Sequence, residues 1–189
     1  VSPSKRILDL IVSLALAGPA MLAILLACPF VAWETRASPL FLQRRIGRNG
    51  RVFTILKLRT MRAGTPDRAS HEVGASTITR SGRFLRRTKV DELPQLWNVI
   101  LGDMSLVGPR PCLPSQRELI DEREKLGVLR LLPGITGIGQ LAGLDMSDPV
   151  ALAHADAAYL APWSLGRDLD LLIRTAVGGG SGDAAVTRR

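Results

Sequence analysis

The sequence predicts an α+β, mostly helical fold with an N-terminal re-entrant membrane helix broken at Gly18-Pro19, a small β-hairpin and amphipathic surface helices. Three observations predict it. Ile7 to Trp33 is the one strongly apolar block, with a proline near its middle. An Asn-Gly pair at Asn49-Gly50 lies between two apolar, strand-like runs. Beyond it, apolar residues recur at helical spacing in several short stretches. At 189 residues the chain is long enough for a real core and short enough for one functional domain. We divide it into a membrane anchor, 1–36, and a cytoplasmic region, 37–189, packed on it.

The apolar block carries Lys5 and Arg6 at its start and Arg36, Arg44, Arg45 and Arg48 after its end. Pro19 removes one helical hydrogen bond and crowds the preceding turn, so a break is expected there. Each leg then reaches only ~18–21 Å, short of the ~30 Å hydrocarbon core. Basic residues favour the cytoplasmic side, and both flanks are basic. A helix that dips into one leaflet and returns satisfies both; a straight span does not. A signal peptide is the other alternative, but Pro29-Phe30-Val31-Ala32-Trp33 keeps the chain apolar past Cys28, and Asp9 lies inside the supposed core.

From Leu40 to Leu58 the pattern is that of a hairpin turning at Gly47-Arg48-Asn49-Gly50, where positive φ favours Asn and Gly. Lys57 and Arg59 flank Leu58, so alternation points both cations to one face. Ala63 to Gly82, rich in Ser, Thr and Gly, reads as a mobile loop.

Phe84 to Pro111 is the chemical centre. Leu93, Leu96, Trp97 and Ile100 form a helical apolar face, and Pro94 suits only a first turn. Asp91 and Glu92 therefore stand at a helix N-terminus, with Arg86, Arg87 and Lys89 upstream and Arg110 downstream. Paired carboxylates among cations suit a metal and a phosphate; locally, Asp91 as a helix cap is an equally ordinary role. The prolines around Arg110 hold it on a stiff strut, which suits a phosphate clamp. Ser115 to Leu126 is a charged amphipathic helix with Leu119, Ile120 and Leu126 inward. The glycine-rich run Leu132 to Gln140 matches neither the P-loop nor the dinucleotide pattern; it reads as tight packing or a ligand-facing loop. Ser147-Asp148-Pro149 starts a helix to about Tyr159. Trp163 to Val177 forms a last amphipathic helix, with Leu165, Leu169, Leu172, Ile173 and Ala176 on a face for the core or a membrane surface. The end of the chain, from Gly178, reads as flexible.

Composition narrows the partners. The formal charge is +8, and Arg36 to Arg62 holds many basic residues and no acid, which implies a phosphate-bearing partner. Aromatics at 4% weaken any stacking surface for single-stranded nucleic acid. Cys28 and Cys112 offer no disulfide framework, and His71 and His154 lie far apart, so a His-based metal site is not expected.

Five stretches in order, KRILDL, the proline-broken apolar segment, FLQRRIGRNGRVFTILKLRTM, GRFLRRTKVDELPQLWNVILGDMSLVGPRP and LLPGITGIGQLAGL, resemble the bacterial sugar transferases. These are small monotopic phosphoglycosyl transferases acting on polyprenol phosphate, and the resemblance covers nearly the whole chain. It implies transfer of a sugar phosphate from a UDP-sugar to polyprenol (undecaprenyl) phosphate, releasing UMP, as a first membrane step of glycoconjugate synthesis. It further implies Asp91 as nucleophile, Glu92 as its partner, and Mg²⁺ held by Asp91 and Glu92. Lys57, Arg86 and Arg110 match the family's basic phosphate-binding positions, and Arg59 follows Lys57 in the same motif. The implied setting is the cytoplasmic face of a bacterial inner membrane, with anionic lipids as neighbours, no nucleic acid, and a monomer or homodimer. The dyad is then expected at the membrane surface, open to water on one side. The chain departs from the family at Ile138, commonly Trp, at Leu144, commonly Arg, and at Gly18-Pro19, commonly Ser-Pro. The loop at Ser76-Thr77-Ile78-Thr79 lacks the acid that often precedes its arginine. A basic membrane-surface or nucleic-acid-binding module without catalysis is the reading from another class.

Overall fold

The computed structural model describes residues 2–65 and 77–178. Part of the expected loop and nearly all of the expected C-terminal tail lie outside them. Helix α1 (Pro3–Thr35) leads into the hairpin β1 (Leu40–Ile46) and β2 (Val52–Leu58), then α2 (Arg80–Thr88) and α3 (Gln95–Leu101). Strand β3 (Ser105–Val107), α4 (Arg117–Lys125), β4 (Gly134–Thr136), α5 (Ile138–Leu141), α6 (Pro149–Ala157) and α7 (Leu165–Ala176) follow.

The chain forms α1 because Ser2 caps it, accepting from the Lys5 N–H, and Pro3 takes a first-turn position. The break expected at Gly18-Pro19 is absent: α1 runs without interruption through both Pro19 and Pro29. Each proline removes one hydrogen bond, but packing holds the helix across the gap. Ala20 is buried in the main core with Leu96 and Val99, and Ile24, Ala27 and Cys28 pack on Val31, Leu58 and Leu85. The buried stripe of α1, from Lys5 through Asp9, Ser13, Ala20 and Val31 to Thr35, faces the rest of the protein. Its other face exposes Ile7, Ile11, Leu14, Met21, Leu22, Leu25, Leu26, Phe30 and Trp33. Polar residues thus point inward and apolar ones outward, the reverse of a helix on a water-soluble protein.

A buried polar cluster fastens the start of α1. Lys5 Nζ lies 2.8 Å from Asp168 Oδ2 on α7 and 3.8 Å from Asp9 Oδ1. Asp168 also accepts from Tyr159 Oη at 2.5 Å and Trp163 Nε1 at 2.8 Å. Burial and the neighbouring Asp168 carboxylate push the Tyr159 phenol well above its ordinary range. Asp9 accepts from Ser105 Oγ and the Leu106 N–H, both at 3.1 Å, joining α1 to β3. Arg6 donates to the carbonyls of Val99 and Ile100 at the end of α3.

The hairpin forms as its sequence predicts, antiparallel from Leu40 opposite Leu58 to Ile46 opposite Val52, with Asn49 and Gly50 at positive φ. The loop after it ends earlier than expected, because Thr79 caps α2 by accepting from the Gly82 N–H. In α7 the face with Leu165, Leu169 and Ile173 is exposed, while Asp168 and Leu171 point inward. Of that stripe, Leu172 packs on the core and the other leucines and Ile173 face outward. The glycine-rich run packs tightly: a Cβ on Gly134 would sit 2.1 Å from the Gly108 nitrogen, where β3 and β4 pair in parallel.

Candidate active site

Four elements converge on Glu92. Strand β2 delivers Lys57, whose neighbours Ile55 and Leu58 are buried and fix the strand's orientation. Helix α2 ends at Lys89, a non-glycine residue in the left-handed region at φ 57°. A single 3₁₀ turn, Val90–Glu92, follows. Asp91 and Glu92 therefore lie in a tight turn between two helices and do not start α3. Pro94 occupies the cap position of α3 with no side-chain cap bond, so the capping role weighed for Asp91 is not the one it fills.

Helix α3 buries part of the expected face, Leu96 with Leu93 packed on the same core, but not Trp97. Trp97 is 55% exposed, whereas Gln95, Leu96, Asn98 and Val99 are buried. Asn98 sets this rotation: its Oδ1 accepts from the Leu56 N–H at 3.1 Å and its Nδ2 donates to the Thr54 carbonyl at 2.8 Å. Those two bonds tie the dyad-bearing segment to the strand that carries Lys57.

Arg110 arrives on the strut after β3, and its Nη2 donates to Glu92 Oε1 at 3.0 Å. Lys57 Nζ donates to the same oxygen at 3.1 Å. Prolines 109 and 111 have no N–H to give, so the strut is held by its carbonyls. Pro109 O accepts from the Gly134 N–H, and Cys112 O from the Ile46 N–H, each at 2.9 Å. Arg110 O accepts from Arg123 Nη1 at 2.9 Å, and Pro111 O from Arg45 Nη1 at 3.0 Å. Arg123 is itself fully buried and paired with Asp156 at 2.6 Å. Arg45, Asn98, Arg123 and Asp156 escaped the sequence reading. For two of them a signal existed: Arg123 stands four residues after buried Leu119, and Asp156 four after buried Leu152, which puts each on an inward helix face.

The sequence-predicted site is thus partly assembled. Asp91, Glu92, Lys57 and Arg110 come together; Asp91 is 7% exposed, more enclosed than the water-facing position expected for it. Arg86 turns to Thr60, its Nε donating to Thr60 Oγ1 at 2.9 Å. Arg59 turns elsewhere, to the Ser38 carbonyl at 2.8 Å and over the Phe41 ring. Alternation had placed it beside Lys57, but Leu58 ends the strand, so the pleat does not extend to residue 59.

Charge follows from this geometry. Burial alone would push the Glu92 carboxyl up, but Arg110, Lys57 and Lys89 outweigh it and hold the group down at about 2. Burial pushes the Lys57 ammonium down, against the pull of Glu92 and Asp91. Lys89 is lowered in the same way, again with Glu92 and Asp91 opposing. A group whose folded pKa is depressed stabilises the fold above its unfolded pKa. Its contribution is therefore complete above about pH 4.5 and lost as pH falls toward about 2. Thermal melts of wild type and Glu92→Gln should differ by a constant amount through weakly acidic pH and converge only below that upper value. Convergence near neutrality would contradict the assignment.

Among the described residues no three His, Cys, Asp or Glu side chains gather as a metal cage. The donor set present is two adjacent carboxylates. That fits Mg²⁺, which takes one or two carboxylates and completes its shell with water and substrate phosphate.

A family model described as bacterial sugar transferase matches residues 2–179. The chain is 41% identical over 180 residues to a UDP-glucose:undecaprenyl-phosphate glucose-1-phosphate transferase of Caulobacter vibrioides, covering 90% of this chain and 67% of that protein. It is 33% identical to the exopolysaccharide production protein ExoY of Sinorhizobium fredii, over 91% of this chain and 83% of that one. It is 35% identical to the undecaprenyl-phosphate glucose phosphotransferase of Komagataeibacter xylinus, covering 90% of this chain but only 35% of that protein's length.

Proposed function

The chain belongs to the bacterial sugar transferase family, and from that premise we propose that it is a phosphoglycosyl transferase moving a sugar-1-phosphate from a UDP-sugar to undecaprenyl phosphate. The observation that carries the reading is the enclosed Asp91 beside a Glu92 already held by Lys57 and Arg110. That arrangement separates the two carboxylates by role. Glu92 is too acidic and too committed to act as a base near neutral pH, so it orients Lys57 and Arg110. We take Asp91, the more enclosed of the two, as the nucleophile that the family resemblance implies.

In the first step an Asp91 carboxylate oxygen attacks the sugar-bearing phosphorus. The bond from that phosphorus to the bridging oxygen breaks, and UMP leaves with the electron pair. In the second step an oxygen of undecaprenyl phosphate attacks the same phosphorus. The Asp91–phosphorus bond breaks, regenerating the carboxylate and leaving polyprenol-diphosphate-sugar. A covalent intermediate divides one difficult displacement into two easier ones. Lys57 and Arg110 supply fixed positive charge where oxyanion charge builds, at no cost of reorganisation. Arg86 would hold a phosphate, the role the family resemblance implies for it. Mg²⁺ held by Asp91 and Glu92 would neutralise diphosphate charge when bound. Arg110→Gln is expected to lower UMP release by roughly 10²-fold, the usual loss when one such stabilising donor is removed. A rate within a few-fold of wild type would remove Arg110 from the machinery.

The membrane setting supports the same reading. The apolar face of α1, Phe84 on α2, Trp97 and Leu101 on α3, and Leu165, Leu169 and Ile173 on α7 are all exposed. Both ends of α1 pack on the rest of the protein, Lys5 on Asp168 and Glu34 on Ser81. A monotopic placement on the cytoplasmic face, with 1–36 as membrane anchor and 37–189 as catalytic region, keeps those contacts, whereas a span would pull one end away. Cysteines placed at Ser4 and Ser38, with Cys28 and Cys112 replaced by alanine, should be labelled from the same side. Labelling from opposite sides would exclude this placement. Screening UDP-sugars for UMP release dependent on undecaprenyl phosphate tests the activity itself and identifies the sugar.

A further inference from the structure

At the end of α1 farthest from Lys5 lies a cavity of about 420 Å³ lined by Glu34, Arg62, Ile78, Thr79, Arg80 and Arg83. Three guanidinium groups meet one carboxylate there, and that carboxylate is already engaged. Glu34 Oε2 accepts from the Ser81 N–H at 2.8 Å and from Ser81 Oγ at 2.6 Å. Arg83 is anchored by one nitrogen, Nη1 donating to the Ile78 carbonyl at 3.2 Å. The cavity therefore has a surplus of positive charge and planar donors suited to phosphate oxygens.

Its surroundings identify the source of the phosphate. Trp33, directly before Glu34, is 79% exposed, and Phe30 one turn earlier is 66% exposed. Phe84, directly after Arg83, is 55% exposed. Two of the three chain segments that line the cavity, those of Glu34 and Arg83, thus continue into outward-facing aromatic side chains. A soluble phosphate compound would gain nothing from them. A membrane lipid would place its phosphate among the arginines with the aromatic rings at the level of its glycerol and upper chains.

The cavity is also separate from the chemistry. None of Asp91, Glu92, Lys57, Arg110 or Arg86 lines it. Undecaprenyl phosphate must bring its phosphate to Asp91, so the occupant that suits this place is a lipid that does not react. We propose that the Arg62–Arg80–Arg83 cavity binds the headgroup phosphodiester of an anionic membrane phospholipid, pinning the C-terminal end of α1 and the start of α2 at the membrane surface. The inference rests on the membrane placement proposed above and not on the transferase chemistry.

The test uses the full chain in detergent, examined by native mass spectrometry with phosphatidylglycerol, phosphatidylcholine, undecaprenyl phosphate or inorganic phosphate added, and UMP release measured on the same samples. Wild type should retain one phosphatidylglycerol in preference to phosphatidylcholine. Arg80→Gln/Arg83→Gln should bind it about 25-fold more weakly, from about 1 kcal/mol per arginine near the surface. Arg117→Gln on α4 should bind as wild type does, and UMP release by the double variant at saturating substrates should be unchanged. Equal phosphatidylglycerol retention by the double variant would overturn the proposal. So would preferential retention of undecaprenyl phosphate at these arginines, or binding of inorganic phosphate with no preference for the lipid. If the lipid depends on Arg80 and Arg83 but wild type releases no UMP with any UDP-sugar, the transferase reading falls and the lipid site stands.

Discussion

Asp91→Asn is expected to abolish UMP release, by about four orders of magnitude or more, the scale seen when a covalent nucleophile is removed. The amide keeps the size and most of the packing of the carboxylate in a position only 7% exposed, so folding should survive. What it loses is the anionic carboxylate oxygen, whose lone pair forms the bond to phosphorus; a neutral amide oxygen is too weak a nucleophile to replace it. Glu92→Gln should behave differently. It loosens Lys57 and Arg110, which both hold Oε1, but leaves the nucleophile in place. Its rate should therefore fall less far than that of Asp91→Asn, and its UMP release should remain measurable. Comparable losses in both variants, or a larger one at Glu92, would exchange the roles assigned to the two carboxylates. A basic surface module without catalysis would be indifferent to either change.

The second large effect is structural. Asp168→Ala removes the carboxylate that holds Lys5, Tyr159 and Trp163 together. Lys5 keeps Asp9, 3.8 Å away, and the Tyr159 ring, 5.7 Å away, and its side chain is 7% exposed, so an ammonium is left poorly compensated inside the protein. Breaking a buried pair by deleting one partner costs about 3–5 kcal/mol. For a chain of this size that corresponds to a melting temperature lower by roughly 6–20 °C. Replacing Lys5 and Asp168 together by Met and Leu should recover part of the loss, because the desolvation cost of both charges disappears. A drop of only a degree or two in the single variant would mean that water reaches Lys5 and that α1 is not fastened there.

What the sequence made legible was local. The hairpin followed from Asn49-Gly50 between two apolar runs, and the cap of α6 from Asp148-Pro149, whose carboxylate accepts from the Ala151 N–H. Lys57 and Arg110 were found from motif and backbone stiffness, and both reach Glu92. What was not legible depended on tertiary contacts. The face of α3 is set by Asn98 bonding to the hairpin, which overrides an apolar stripe that includes Trp97. Pro19 fails to break α1 because Ala20 and Ile24 are packed immediately after it. Arg59 leaves the site because β2 stops at Leu58. The stiff strut around Arg110 was visible in its prolines, but the arginines that grip its carbonyls come from β1 and α4, distant in sequence.

The central claim is that Asp91 becomes covalently phosphorylated by the sugar phosphate. The direct measurement is the intact mass of the protein after exposure to a UDP-sugar that supports UMP release, with undecaprenyl phosphate left out. A mass gain equal to one sugar phosphate, located on Asp91 by peptide fragmentation and discharged when undecaprenyl phosphate is added, is the predicted result. UMP release that occurs only when both substrates are present, with no mass gain at any time, would contradict it and leave direct transfer between the two substrates.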